Sequence, residues 1–230
     1  MVRTPHHPVE PLFVERWSPR GFTAEPIPDD VLLSAFEAAR WAPSASNAQP
    51  WRFLVSRRGD AAWDEFTAVL LPRNALWATN ASALVLILSA RQLERRGALV
   101  DNVSHSFDAG AAWANFAHQA LLLGWHTRAM GGFDRGAARD RLEVPEDFAI
   151  EAMIALGRAA GLDGLHPEFH SDETPSDRRP DRSHRYAATA HCPAAASRRP
   201  AGMAAGAPLA RRRSDVRRCH RERRVFGSGR

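Results

Sequence analysis

The chain has 230 residues, a mass of 25.4 kDa and 44% hydrophobic residues, which suffices for one substantial core and one domain with extensions. Its net charge of +5 is uneven, because residues 1–180 hold 18 Arg against 23 Asp and Glu, whereas residues 181–230 hold 13 Arg against three acids. All 31 basic residues are Arg, which excludes a Walker loop and a pyridoxal-phosphate Schiff base, since both need a lysine.

The apolar pattern predicts alternating helices and strands around one sheet, which is typical of an α+β or α/β protein. In the first half, helices are predicted at 28–41, with Asp29 as the cap, and at 60–71, and strands at 51–55 and 82–90. In the second half, the pattern predicts a long helix at 105–125, a strand at 126–130, a helix at 134–142 and a strand at 149–157. The long helix is apolar or small on nearly every side, so we expect it to be buried all round.

Residues 181–230 differ in composition from the rest and consist mainly of Arg, Ala, Pro, Ser, Gly and His. Such a segment buries too little apolar surface to offset its ordering entropy, so we predict a disordered basic tail beginning after Pro180. Both cysteines, Cys192 and Cys219, lie in this tail, which leaves the folded domain at 1–180 without a disulfide framework. We therefore expect a cytoplasmic protein.

Three short segments carry groups suited to a ligand. Arg16 and Arg20 surround Ser18 in "RWSPR", and guanidinium forks with a hydroxyl suit a phosphate monoester. The loop "PSASN" at 43–47 offers hydroxyls, an amide and backbone N–H groups between a helix and a strand. The glycine pair in "MGGFD" at 130–134 allows a ligand to approach the main chain closely.

Each of these segments also has a plainer interpretation, as surface arginines or as ordinary turns. His166 and His170 have metal-like spacing, but they lie in a proline-broken polar stretch, and we predict a loop and no metal there.

Taken together and in order, the motifs resemble the FMN-dependent nitroreductase family. The similarity spans roughly residues 10–180 and rests on "RWSPR" (16–20), "AARWAPSASNAQPWRF" (38–53), "DAGAAWANFAHQALLLGW" (108–125), "MGGFD" (130–134) and "EVPEDFAIEAMIALG" (143–157).

This resemblance implies an α+β fold with a central mixed sheet flanked by helices, and a homodimer with two FMN molecules at the subunit interface. It implies that NAD(P)H passes a hydride through FMN to an electron-poor acceptor, such as a nitroaromatic, quinone, enone or small aldehyde. The long helix at 105–125 would form much of the dimer interface. No side chain is expected to act as nucleophile or general base, because the flavin makes and breaks the bonds.

The resemblance also implies the residues that bind FMN. The phosphate and ribityl end would be held by Arg16, Ser18 and Arg20, with Arg178 as a further phosphate-side arginine. The ring edge would face Pro43, Ser44 and Asn47, while the backbone of Gly131 and Gly132 would donate to the ring. Trp51 and Phe133 are candidates for the lining of the acceptor site.

The tail departs from the family, whose members continue into a short segment that packs across the partner subunit. The abrupt change to Arg, Ala, Pro and His leads us to hypothesise a frameshift just after Pro180. Two other functions stay open at this stage. One is a folded domain whose basic tail binds nucleic acid nonspecifically. The other is an FMN-fold protein that reduces no external acceptor.

Overall fold

The computed structural model describes residues 3–179. The α-helices are α1 (Pro11–Glu15), α2 (Asp29–Arg40), α3 (Trp63–Ala68), α4 (Pro72–Ala78), α5 (His105–Leu122) and α6 (Arg135–Arg141), and short 3-10 helices span Ala45–Asn47, Leu162–Gly164 and Pro167–Asp172. The strands are β1 (Trp51–Arg57), β2 (Ala83–Ala90), β3 (Gln92–Arg95), β4 (Ala98–Asp101), β5 (His126–Met130) and β6 (Phe148–Gly157). The predicted tail at 181–230, and the frameshift hypothesis that concerns it, lie outside the described residues.

A four-stranded sheet in the order β1-β2-β6-β5 forms the centre of the described chain. Every pairing in it is antiparallel, with β2 between β1 and β6, and β5 on the far side of β6. The α+β class is confirmed, but the expected mixed sheet is wrong for residues 3–179, since no parallel pair occurs among them. The continuous apolar run of β2 is buried on both faces, as its sequence predicts.

Helices cover both faces of this sheet. On one face, α2 and α5 pack over β2 and β6, with Phe116 and Trp125 fully buried. On the other face, α3, α4 and α6 contribute to a second cluster around Trp77 and Met153. The sheet is therefore the middle layer, and its strand ends fix the loops that carry the candidate site.

Several local features differ from the sequence predictions. The cap of α2 is Pro28 rather than Asp29, which lies inside the first turn and makes no side-chain cap. The hairpin formed by β3 and β4 was not predicted; its turn places Arg96 and Gly97 at positive φ, the geometry of a two-residue hairpin turn. Helices α1 and α4 were also missed, because both are short and begin at a proline.

Helix α5 is buried on one face only, so the prediction that it is buried all round is wrong for a single chain. Its buried side includes Asp108, Ala112 and Phe116, whereas Phe107 is 83% exposed and Leu122 is exposed as well. The apolar composition of the helix is thus only partly explained by contacts within one chain.

A β-bulge in β6 secures the beginning of α5. Ile87 pairs with Ala152 and Leu88 with Ile150, which leaves Glu151 as the extra residue. Its carboxylate accepts hydrogen bonds from Ser89 Oγ at 2.5 Å and from Ser106 Oγ at 2.6 Å, while His105 Nδ1 lies 2.7 Å from Ser89 Oγ. The sheet and the N-terminal turn of α5 are joined by these bonds.

No helix among the described residues is long and apolar enough to cross a membrane.

His126, the first residue of β5, should make stability depend on pH. Burial lowers the pKa of His126 below its ordinary 6.5, and its Nδ1 is buried without a hydrogen-bond partner among the described residues. As pH falls below 6.5, the unfolded state therefore takes up this proton before the native state does. We expect the free energy of unfolding to decrease with falling pH in that window, until the native state also protonates. Urea titrations at several pH values in that window give the free energy of unfolding at each pH. This free energy should fall less steeply with decreasing pH in His126→Gln than in His6→Gln, which changes an exposed histidine. Equal slopes would contradict this account.

Candidate functional site

The loop between α2 and β1 has an unusual backbone. Ser46, Asn47 and Gln49 adopt positive φ values of 53°, 53° and 47°, a region that non-glycine residues avoid. Such conformations cost energy, and they persist where surrounding contacts hold them, often at functional sites. Within the loop, Ser44 Oγ accepts a hydrogen bond from the Gln49 N–H at 3.1 Å.

Asp108 on α5 fixes the loop from outside. Asp108 is only 3% exposed, and its Oδ2 accepts a hydrogen bond from the Ala45 N–H at 3.0 Å. A buried carboxylate needs such a partner, so the bond ties the loop to the helix. We did not predict this residue, although an acid on an otherwise apolar helical face was the available signal.

A second group of residues surrounds the "RWSPR" segment. Arg16 Nη1 donates to Ser18 Oγ at 3.2 Å and to the Trp17 carbonyl at 3.1 Å. Arg3 Nη1 donates to the carbonyl of Arg16 at 2.9 Å, which brings a further guanidinium to the same place, and its Nε is buried without a partner among residues 3–179.

The charges in this group repel one another. Burial lowers the pKa of Arg16, and the nearby positive charges of Arg178 and Arg3 lower it further. The pKa of His118 is also lowered, first by burial and then by Arg16. None of the arginines Arg3, Arg16 and Arg178 forms an ion pair with a carboxylate of the described chain. An anion bound here would relieve this repulsion.

Arg20 lies in a cavity of about 330 Å³ together with the glycine pair. Arg128 on β5 lines the same cavity and donates a short hydrogen bond to the Ser18 carbonyl. Burial lowers the pKa of Arg128, and Arg20 lowers it further, while Glu173 and Asp172 partly oppose this effect. The cavity therefore combines positive charge with close access to the main chain.

The two glycines have different structural roles. A side chain at Gly132 would come within clashing distance of Asn74 Nδ2, which donates to the Gly132 carbonyl at 2.9 Å, so Asn74 would have to move and give up this bond. At Gly131 the space above the Cα is nearly open. Neither Gly131 nor Gly132 N–H donates a hydrogen bond to another described residue, which leaves both available to a ligand.

The predicted site residues thus fall into two sets in a single chain. Arg16, Ser18 and Arg178 form one cluster, and Ser18 is linked through Arg128 to the cavity that Arg20, Gly131 and Gly132 line. Asn47 lines a different cavity, next to the β3–β4 hairpin. One chain therefore does not bring the loop residues Pro43, Ser44 and Asn47 into the cavity of the glycine pair.

Two further predictions on lining residues do not hold in the single chain. Trp51 is only 6% exposed and Phe133 only 4%, and both pack in the core, so neither is a candidate to contact an acceptor. The loop predicted at His166 and His170 is instead a short 3-10 helix, Pro167–Asp172, which His166 caps. His166 Nδ1 accepts from the Glu168 N–H, and His170 Nε2 lies 2.8 Å from the Leu165 carbonyl.

Comparisons with known proteins identify the family of the chain. A family model described as the Nitroreductase family matches residues 14–158. The NADH dehydrogenase of Thermus thermophilus is 33% identical over 177 residues, which cover 64% of this chain and 84% of the relative. A crystal structure described as an oxidoreductase containing FMN is 40% identical, with a TM-score of 0.78 over 80% of this chain and 93% of the other.

A more distant structure supports the fold alone. The FMN-dependent nitroreductase of Clostridium difficile R20291 is 20% identical, with a TM-score of 0.53 over 69% of this chain and 90% of the other. The chain belongs to the nitroreductase family, which confirms the resemblance seen in its motifs.

Asp108 provides a direct test of how the loop is held. Asp108→Ala removes the acceptor of the Ala45 N–H and releases the positive-φ segment, so we expect FMN affinity to fall about tenfold. Asp108→Asn keeps an acceptor oxygen, so its FMN affinity should fall less than that of Asp108→Ala. Fluorescence titration of free FMN with each variant measures this difference, with circular dichroism to confirm folding. The role would be contradicted if both variants bound FMN as the unmodified protein does.

Proposed function

We propose that the protein is a homodimeric oxidoreductase that passes a hydride from NAD(P)H, by way of FMN, to an electron-poor small molecule. Its family membership makes it an NAD(P)H-dependent oxidoreductase with FMN as cofactor. The observation that carries the proposal is the set of guanidiniums without ion pairs in the described chain, beside two free main-chain N–H groups.

These residues fit FMN chemically. A phosphate dianion suits Arg16, Ser18, Arg20 and Arg178, because it would offset charges that now repel one another. The free N–H groups of Gly131 and Gly132 suit the nitrogen and oxygen acceptors of a flavin ring. When bound, FMN supplies two-electron transfer between a reduced nicotinamide and an acceptor.

The loop residues enter the site only with a second copy of the chain. Pro43, Ser44 and Asn47 would face the ring edge from the partner, since in one chain Asn47 and the glycine pair line different cavities. The exposed apolar side of α5, with Phe107 and Leu122, is the surface such a dimer would cover. No side chain is assigned a role as nucleophile or general base; the chain's residues bind and orient.

The proposal extends to the class of acceptor. Nitroaromatics, quinones, enones and small aldehydes share a low-lying empty orbital and need only an exposed flavin face. We therefore expect broad acceptor use with a preference set by reduction potential rather than by shape.

Removing Arg16 tests the cofactor site, because Arg16, Ser18 and Arg178 form the cluster proposed to bind the FMN phosphate, here called the phosphate cluster. Arg16→Ala deletes a charge-assisted contact, so FMN affinity should fall about tenfold or more. Arg141→Ala serves as the matched control, because its guanidinium instead pairs with Glu65 at 2.8 Å. Equilibrium dialysis against FMN measures both variants. The assignment would be wrong if Arg16→Ala and Arg141→Ala bound FMN equally well.

The same preparations test the reaction. FMN-loaded protein should oxidise NADH or NADPH faster when a quinone or nitroaromatic is added. Reduction of the bound flavin without any acceptor-dependent turnover would favour the alternative of an FMN-fold protein that reduces no external acceptor.

A further inference from the structure

We propose that the cavity beside Asn47, here called the Arg52 cavity, binds the phosphate groups of the NAD(P)H donor. This inference rests on the proposed function and adds to it a recognition site for the part of the donor that carries no redox chemistry. The Arg52 cavity has a volume of about 480 Å³ and is separate from the cavity of Arg20 and the glycine pair.

Three elements contribute side chains to the Arg52 cavity. The positive-φ loop contributes Asn47 and Gln49, the start of β1 contributes Arg52, and the tip of the β3–β4 hairpin contributes Arg95 and Arg96. Four of the other eight lining residues are polar too, so nine of the thirteen are polar or charged and the cavity suits a charged ligand better than an apolar one.

Positive charge dominates this cavity. The lining includes Arg52, Arg95 and Arg96 but only one acid, Glu94, and none of the three arginines forms an ion pair with a carboxylate among residues 3–179. Elsewhere in the described chain, arginines such as Arg40, Arg73 and Arg158 are paired with acids. Three arginines without ion pairs among the residues that line a polar cavity supply the charge and the donor groups that suit phosphate oxygens.

Two of these arginines are held by the backbone. Arg52 Nη1 donates to the carbonyls of Gln49 at 3.1 Å and of Trp51 at 2.7 Å, which fixes one edge of the guanidinium and leaves the other N–H groups for a ligand. Arg96 occupies the tight turn of the hairpin with φ of 54°, so its position is set by the turn. Because the Arg52 guanidinium is already held, less of its side-chain entropy is lost when an anion binds.

The location links the Arg52 cavity to the redox site. Asn47 lines the cavity and is also one of the three residues expected to face the flavin ring edge. A reduced nicotinamide over that ring would have its phosphates a short distance away along the same molecule. The cavity could meet either the diphosphate, which NADH and NADPH share, or the 2′-phosphate, which only NADPH carries.

The experiment compares donors that differ in phosphate content. Stopped-flow reduction of the FMN-loaded protein is measured with NADPH, with NADH and with a phosphate-free N-alkyl dihydronicotinamide. The variant combines Arg95→Gln with Arg96→Asn, because asparagine tolerates the positive φ of that turn. Arg141→Ala, on α6, is the matched control for loss of an arginine.

We expect the double variant to raise the apparent dissociation constant for NADPH about tenfold or more, with the limiting reduction rate changed less than about twofold. Reduction by the phosphate-free donor should not change. If the affinities for NADH and NADPH fall equally, the cavity binds the diphosphate that both carry. If only the affinity for NADPH falls, the cavity binds its 2′-phosphate. Either result supports the inference.

The inference is overturned if NADPH, NADH and the phosphate-free donor are all unaffected, or are weakened by the same factor. An unmodified protein that binds FMN but is reduced by none of the three donors would contradict the proposed function itself and remove the basis of the inference with it. The two failures are thus told apart by the unmodified protein alone.

Discussion

Repulsion between arginines that the fold keeps together is the constraint on which the candidate site depends. Arg16 lies near Arg3 and Arg178, and Arg20 lies near Arg128. Asp177 opposes the repulsion at Arg3, and Glu173 and Asp172 oppose it at Arg128, but none of the five arginines forms an ion pair with a carboxylate of the described chain. Holding like charges in partly buried positions is unfavourable unless a counter-charge joins them. An anionic ligand supplies that charge, which is why a phosphate-bearing cofactor accounts for this region better than a structural role does.

The antiparallel sheet determines where the remaining ligand groups lie. Strand β5 ends at Met130, and the chain leaves the sheet at the glycine pair with its N–H groups free. Helix α5 is tied to the sheet through the bulged Glu151 and to the α2–β1 loop through Asp108. The sheet and helix layers thus fix the positions of the glycine pair and of the α2–β1 loop. In the proposed dimer, the exposed apolar side of α5 is the surface through which two chains would bring these two regions together.

The sequence predicted the elements with strong periodicity and the ligand groups that lie in short motifs. Helix α2 and the buried strand β2 were recognised because their apolar spacing is unambiguous. Arg16, Arg20 and the glycine pair were selected because their order matches a family, and their role in binding a ligand stays a prediction. Asp108 and Arg128 were missed, since their importance comes from contacts distant in sequence: one reaches Ala45 and the other reaches Ser18. The β3–β4 hairpin was missed because its strands have only four residues each and its turn is Arg-Gly.

The central claim is that each FMN site takes its phosphate cluster from one chain and its ring-edge loop from another. Mixing two defective chains tests it most directly: one carries Arg16→Ala, and the other carries Ser44→Ala with Asn47→Gly. Each alone should retain little FMN. After subunit exchange at equal amounts, half of the dimers are mixed and each has one intact site, so about one quarter of all sites should bind FMN tightly. Binding no greater than the average of the two separate variants would contradict a shared site.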